Sequence, residues 1–253
     1  MPRYYGEDVA YIHDVGHADF ALDAAPGILE ILDRSGIHDG LVVDLGCGSG
    51  LWARELLDAG YGVLGIDISE AMIEIARSRA PEAEFTVGSL FEVEIPRCVA
   101  VTAVSEVLNY LFDPENEELG LGHLFRRVYE ALSFGGVFVF DMLGSGQVPS
   151  GTKSEGFRVG EDWAVLTERE EDAERGTMER RIVSFREVGD LYRRTDEVHR
   201  VRLYEPSELA AGLEQAGFQV RMMQAYGGLP LSENHTAFVA RKPAQERGTA
   251  ERV

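Results

Sequence analysis

Between an apolar run, Leu41–Leu45, and a segment whose large apolar residues recur at Leu51, Trp52, Leu56 and Leu57, the chain sets three glycines: Gly46, Gly48 and Gly50. The pattern before the cluster is that of a buried strand, and the pattern after it that of a helix. Glycines at such a junction let the backbone turn tightly and meet a ligand with no Cβ in the way. The dinucleotide fingerprint G-x-G-x-x-G is not matched, because the third glycine comes one residue early and Leu51 stands where that pattern wants glycine. No G-K-[ST] follows either, so a nicotinamide cofactor and a nucleoside triphosphate are both disfavoured. Two acids frame the loop: Asp44 at the end of the first strand, and Asp67 at the end of a second apolar run, Gly62–Ile66. A carboxylate in the second position suits a ribose diol, since one acceptor group takes both hydroxyl hydrogens. The first suits a cationic ligand.

The same rhythm continues. Ser69 N-caps a helix to Ala80, with Met72, Ile73 and Ala76 on one face, and Pro81 stops it. Strands follow at Glu84–Val87, Val99–Val104 and Gly136–Phe140, the last after a helix over Leu121–Leu132. This alternation predicts an α/β fold: a Rossmann-like, doubly wound, seven-stranded mixed sheet with ligands at the carboxyl ends of its strands. Between Gly144 and Tyr204 the rhythm changes to three strand-like segments, Trp163–Glu171, Met178–Glu187 and Leu191–Leu203, joined by polar breaks at Ala173–Gly176 and Gly189-Asp190. They predict an inserted small antiparallel β-sheet. A helix over Leu209–Ala216 and strands near Phe218–Ala225 and Thr236–Arg241 return the chain to the main sheet. The expected division is therefore a core of residues 1–143 and 204–242, an inserted lid or substrate subdomain of 144–203, and a disordered tail of 243–253.

Charge narrows the partners. Of the net −20, residues 1–150 carry −17 (25 acids, 8 bases), whereas 151–203 carry −2 (13 acids, 11 bases). A polyanion would meet a repulsive main body, so no nucleic-acid partner is expected. No apolar stretch is long enough to span a membrane, and the amino terminus lacks a cationic start followed by an apolar run. With only Cys47 and Cys98, the chain reads as a cytoplasmic protein with free thiols.

Taken together, Asp44-Leu-Gly-Cys-Gly-Ser-Gly50, Gly65-Ile-Asp67-Ile-Ser, Gly88-Ser89-Leu90 and Glu106-Val-Leu-Asn-Tyr-Leu111 resemble the motifs of the class I S-adenosylmethionine-dependent methyltransferases, over residues 41–141. The resemblance implies S-adenosylmethionine as cofactor. It lays the loop of Gly46, Cys47, Gly48 and Gly50 against the methionine moiety, gives the amine to Asp44 and water, the ribose hydroxyls to Asp67, and sets Ile68 beside the adenine. Ser89 and Leu90 fall at the adenine-contacting position, where an Asp is common in the family in place of Ser89. The insertion looks like the antiparallel sheet covering the active site in methyltransferases of amino sugars, glycine and related small molecules. The first residues, with Tyr4, Tyr5, Tyr11, His13 and Asp14, are similar to a helix closing over the cofactor, which adds Tyr11 to the cofactor set, and Glu106 joins it from the segment similar to the one after the fourth strand in many small-molecule methyltransferases.

The implied activity is methyl transfer to a nitrogen or oxygen of a small molecule, and the insertion serves as a lid or as the surface of a homodimer. Glu106, His199 and His235 are candidate proton acceptors, and Asn109, Tyr110 and Tyr192 orienting groups; Glu106, Asn109, Tyr110 and His235 form the catalytic expectation. His199 sits on a predicted strand as a solvent-exposed residue. His13 and His17, four apart, have no third ligand at a recognisable spacing, so no metal site is expected. Arg180, Arg181, Arg193 and Arg194 read as paired charges on an exposed sheet rather than an anion site. Rival readings are a non-catalytic nucleoside-binding protein on the same fold and a protein methyltransferase.

Overall fold

The computed structural model describes residues 4–112, 114–149 and 151–245. In chain order the elements begin with helices α1 (Glu7–Gly16) and α2 (Asp19–Arg34). There follow β1 (Leu41–Leu45), α3 (Leu51–Asp58), β2 (Gly62–Asp67), α4 (Glu70–Arg79), β3 (Glu84–Val87) and β4 (Cys98–Ala103). After one 3-10 turn, Val107–Asn109, come α5 (Pro114–Ala131), which breaks at Gly120, and β5 (Leu132–Leu143). The insertion supplies β6 (Lys153–Val159), β7 (Trp163–Asp172), β8 (Thr177–Val188) and β9 (Leu191–Arg202). The chain closes with α6 (Pro206–Gln215), β10 (Gln219–Met223), β11 (Ala225–Tyr226), β12 (Leu229–Pro230) and β13 (His235–Arg241). No helix among the described residues is long and apolar enough to cross a membrane. Most of the expected tail, residues 246–253, lies outside the described residues.

The main sheet has the order β10-β13-β5-β4-β1-β2-β3, parallel except for β13, which runs antiparallel to β5 and β10. It is the mixed seven-stranded, doubly wound sheet the sequence predicts. Alternate residues of β5 serve its two sides. Phe138 and Phe140 pack with Phe238 against Leu124 and Phe125 of α5 and Leu213 of α6, whereas Val137 and Val139 face Ile28 and Leu32 of α2 and Trp52 and Leu56 of α3. Burial on both faces is why the central strands read as unbroken apolar runs.

The insertion is a separate four-stranded antiparallel sheet in the order β6-β7-β8-β9. Its first strand is absent from the sequence reading because every residue of β6 is exposed, so no burial period marks it. Val201 bridges to Tyr110, and Leu111 N–H donates to Arg200 O, so β9 is stitched to the turn after β4. A small core of Met178, Val201, Leu203, Leu143 and Val148 seals the join. The insertion therefore stands over the carboxyl ends of β4 and β5.

Candidate active site

The loop between β1 and α3 is shaped by left-handed glycines. Gly46, Gly48 and Gly50 have φ of 67°, 52° and 77°. At Gly46 a Cβ would lie 2.3 Å from Val107, and at Gly50 it would lie 3.0 Å from Ala76 of α4, so these two allow close packing. A Cβ at Gly48 would meet nothing within 4 Å. It would instead project into open space, where a bound group can lie against bare backbone. The N–H groups of Gly46 and Cys47 both donate to Ile66 O, at 2.7 and 3.0 Å, which locks the loop to β2.

Two carboxylates flank this loop, and among the described residues neither has a cationic partner. Asp44 is 2% exposed and accepts from Thr102 Oγ1 at 2.8 Å, while Trp52 Nε1 donates to the same hydroxyl at 3.1 Å. Burial pushes the Asp44 carboxyl up to about 7, against the Thr102 hydrogen bond and with help from the nearby charge of Asp67. Burial raises Asp67 as well, while N–H donation from Ser69 (2.8 Å) and Gly48 (2.9 Å) holds it down. Each oxygen of Asp67 keeps a lone pair for a further donor. Ile68, 40% exposed, puts an apolar side chain beside the carboxylate, and Ser89 Oγ accepts from Phe91 N–H at 3.0 Å across the edge. Cys47 is buried, which lifts its thiol well above the ordinary range and makes it inert packing. A buried acid awaiting a cation, a carboxylate with free lone pairs, bare backbone and an exposed apolar side chain fit the ammonium, ribose, methionine and adenine parts of S-adenosylmethionine.

On the far side of β1, the turn after β4 carries two non-glycine residues in the left-handed region, Ser105 (φ 74°) and Glu106 (φ 55°). Such residues cost on the order of 1–3 kcal/mol each. Buried Asp141 offsets that cost by accepting both N–H groups, at 2.9 and 2.8 Å. The Glu106 side chain reaches Arg180 of β8 in a two-point contact of 2.8 and 2.6 Å. Burial works against the Arg180 cation, but Glu106 and Tyr110 hold its pKa above the ordinary value. Glu106 is thus committed to a cation, which makes it a weak proton acceptor. Tyr110 OH accepts from Arg180 at 3.2 Å and shares a hydrogen with Tyr5 OH at 3.0 Å.

The remaining sequence candidates separate. Asn109 is fully buried, with both N–H groups on main-chain oxygens, Leu143 O (3.0 Å) and Arg202 O (2.6 Å), and its Oδ1 accepting from Leu143 N–H (3.0 Å). It ties β5 to β9 and has no donor left to orient an acceptor. Tyr11 turns to the small sheet, where its hydroxyl donates to Asp162 at 2.9 Å and Arg186 stacks 3.7 Å above its ring. Contact between α1 and the glycine loop is made instead through Asp14 and Arg79, which pairs with Asp14 at 2.7 Å and donates to Ser49 O. Tyr192 is 63% exposed, and its hydroxyl turns to Glu187 at the hairpin end.

His199 is completely buried, contrary to its expected exposure. The pairing of β9 turns Glu197, His199 and Val201 inward and Val198 and Arg200 outward, so two of these three inward residues are polar and hide from a hydrophobicity reading. His199 Nε2 lies 2.7 Å from Glu197 Oε2, and that carboxylate also accepts the N–H groups of Tyr5 and Gly6, both at 2.9 Å. Tyr5 O in turn accepts from Ser69 Oγ at 2.8 Å. Burial holds His13 down to about 4, so it is neutral. The four arginines do not converge: Arg180 meets Glu106, Arg193 meets Asp8, and Arg181 and Arg194 meet Asp196.

Asp141, missed in the sequence, also accepts from His235 Nε2 at 2.6 Å and Tyr226 OH at 3.0 Å. Its only sequence signal is an acid closing an apolar run, the same signal that marks Asp44 and Asp67.

Comparison with known proteins bears on the family and the fold. A methyltransferase domain model matches residues 42–136. Over 195 residues the chain is 30% identical to a protein of Geobacillus sp. (strain WCH70) named as a methyltransferase, covering 71% of this chain and 74% of that protein. An S-adenosylmethionine-dependent methyltransferase from Clostridium acetobutylicum ATCC 824 shares the fold with a TM-score of 0.78 at 18% identity, over 93% of this chain and 98% of its own. A sugar N-methyltransferase from Streptoalloteichus sp ATCC 53650 does so with a TM-score of 0.76 at 17% identity, over 96% and 97%. Fold and site together define a class I methyltransferase. The chain belongs to the S-adenosylmethionine-dependent methyltransferase family, whose cofactor is S-adenosylmethionine.

Proposed function

We propose that the protein transfers a methyl group from S-adenosylmethionine to a nitrogen or oxygen of a small molecule, with an amine on a sugar-like compound as the favoured acceptor. The observation that carries this reading is the buried Asp44 and the half-buried Asp67 on either side of a left-handed Gly48 that opens onto empty space. Asp44 receives the cofactor ammonium, Asp67 the ribose hydroxyls, and Ile68 and Leu90 the adenine faces, with Ser89 at the ring edge. Gly46, Cys47 and Gly50 give the loop its shape. The cofactor supplies an already activated sulfonium methyl, so the chain has to align the acceptor and exclude water. Alignment of this kind contributes up to about 7–11 kcal/mol of barrier lowering.

The small sheet acts as the lid. On its inner face Arg180 holds Glu106 at the turn after β4 and His199 holds Glu197 behind Tyr5, with Ser184 wholly buried, so polar contacts join the lid to the core alongside the small apolar cluster. The sugar N-methyltransferase among the structural neighbours favours a sugar-like acceptor. The acidic main body, −17 over residues 1–150, disfavours a nucleic acid as acceptor. Two unpaired, buried cysteines suit a reducing, cytoplasmic setting.

Calorimetry with S-adenosylmethionine and S-adenosylhomocysteine is the direct test, followed by S-adenosylhomocysteine release against a panel of amino sugars, other amines and hydroxylated compounds. Binding of neither cofactor form at millimolar concentration would sink the reading. Binding without turnover on any acceptor would make the protein a nucleoside-binding relative rather than an enzyme.

A further inference from the structure

Asp141 is wholly buried near the carboxyl end of β5, and each of its oxygens takes two donors. Oδ1 accepts from Ser105 N–H (2.9 Å) and Tyr226 OH (3.0 Å); Oδ2 accepts from Glu106 N–H (2.8 Å) and His235 Nε2 (2.6 Å). Two of the donors are main-chain N–H groups that cannot reverse roles, which leaves the carboxylate as acceptor throughout. His235 must then carry its hydrogen on Nε2, and Nδ1 keeps a lone pair. Among the described residues Nδ1 has no protein partner, and the ring is held by Phe20 stacked at 5.7 Å. Because Asp141 Oδ2 binds the Glu106 N–H as well, His235 stands directly beside the turn after β4.

We propose that His235 Nδ1 is the proton acceptor of the methyl transfer and that Asp141, itself held by Tyr226, is its positioning residue. The proposal rests on the methyltransferase reading above. Glu106 is the weaker acceptor because Arg180 neutralises it, and His199, which bonds Glu197 in the same manner, has its Nδ1 sealed from solvent behind Tyr5 and Phe112. In balance, the acceptor N–H or O–H gives its proton to Nδ1. Its lone pair forms the new bond to the methyl carbon while the carbon–sulfur pair stays with sulfur, and the imidazolium, paired with Asp141, later returns the proton to water.

The experiment uses the full chain labelled with 15N-histidine, assigned through His235→Asn, and read in long-range 1H–15N spectra. The expected result is the Nε2–H form of His235. In Asp141→Asn the amide must turn its N–H groups toward two existing donors, and the expected result is a switch of His235 to the Nδ1–H form. Calorimetry on the same samples is expected to give cofactor affinities within about twofold of the unaltered chain. With an acceptor from the panel, His235→Asn and Asp141→Asn are expected to lower kcat about 100-fold or more with little change in KM. An Nδ1–H form in the unaltered chain, or an unchanged kcat in His235→Asn, overturns the proposal. Loss of cofactor binding by the unaltered chain overturns the methyltransferase reading instead, and the two failures are told apart by the calorimetry.

Discussion

Arg180 and Glu106 meet through two N–H···O bonds of 2.8 and 2.6 Å, and this contact joins the inserted sheet to the strained turn after β4. Both side chains are mostly buried, at 15% and 19% exposure, so solvent screens the pair only weakly. Removing one partner leaves the other as an uncompensated charge. Arg180→Ala is expected to destabilise the fold by about 3 kcal/mol, and Arg180→Met with Glu106→Leu by less than either change alone. Urea unfolding of the unaltered chain and the four variants measures both.

Asp44 makes cofactor binding depend on pH. Its carboxyl in the cofactor-free protein sits at about 7, and a cationic ammonium is bound by the ionised form. Affinity for S-adenosylmethionine should therefore strengthen as pH rises from about 6 to 8 and level off above. Asp44→Asn should weaken binding and flatten the profile. The sign for folding is opposite: a carboxyl raised from 3.8 to about 7 binds more protons in the folded state, so it costs stability as pH climbs through that interval. Thermal melts of the cofactor-free Asn variant should lose that decline.

Glycines 46 and 48 should respond differently to alanine. Both pay for a left-handed backbone, on the order of 1–2 kcal/mol. Gly46→Ala also drives a Cβ into Val107 and should unfold the loop, lowering Tm markedly. Gly48→Ala meets open space, so Tm should move by only a few degrees while cofactor affinity falls at least tenfold. Equal losses of affinity per folded molecule would show that Gly48 does not face the cofactor.

Asn109 should behave as a structural tie. Asn109→Ala strands Leu143 N–H and two main-chain oxygens in a buried place, a cost of about 2–4 kcal/mol. Cofactor affinity of the folded fraction should be unchanged, which calorimetry at low temperature reads directly.

How much of this was legible in the residues follows from what each signal reports. Leu41–Gly50, Gly62–Asp67 and Ser69–Ala80 read correctly because period, glycine and cap agree with one another along the chain. Strand β6 and the β11–β12 hairpin escaped notice since one is exposed throughout and the other has only two residues per strand. The glycine-loop side of the crevice is built mainly from short-range relations, Asp44 through Gly50 and Asp67 through Ser69. The side beyond β4 is not: Asp141 meets Ser105, Tyr226 and His235 across the whole fold, and His199 faces inward only because of how β8 and β9 pair. Long-range pairing of that kind leaves no local period to read.

The hydrogen bonds of Tyr5 and Gly6 tie the small sheet to the residues that follow β2. One stretch of main chain gives its N–H groups to Glu197 of the small sheet and its carbonyl to Ser69 at the end of the cofactor-side strand. The two ends of the crevice are thereby fastened by a single clasp. Loss of that one stretch would free the small sheet and the start of α4 from each other at a single stroke.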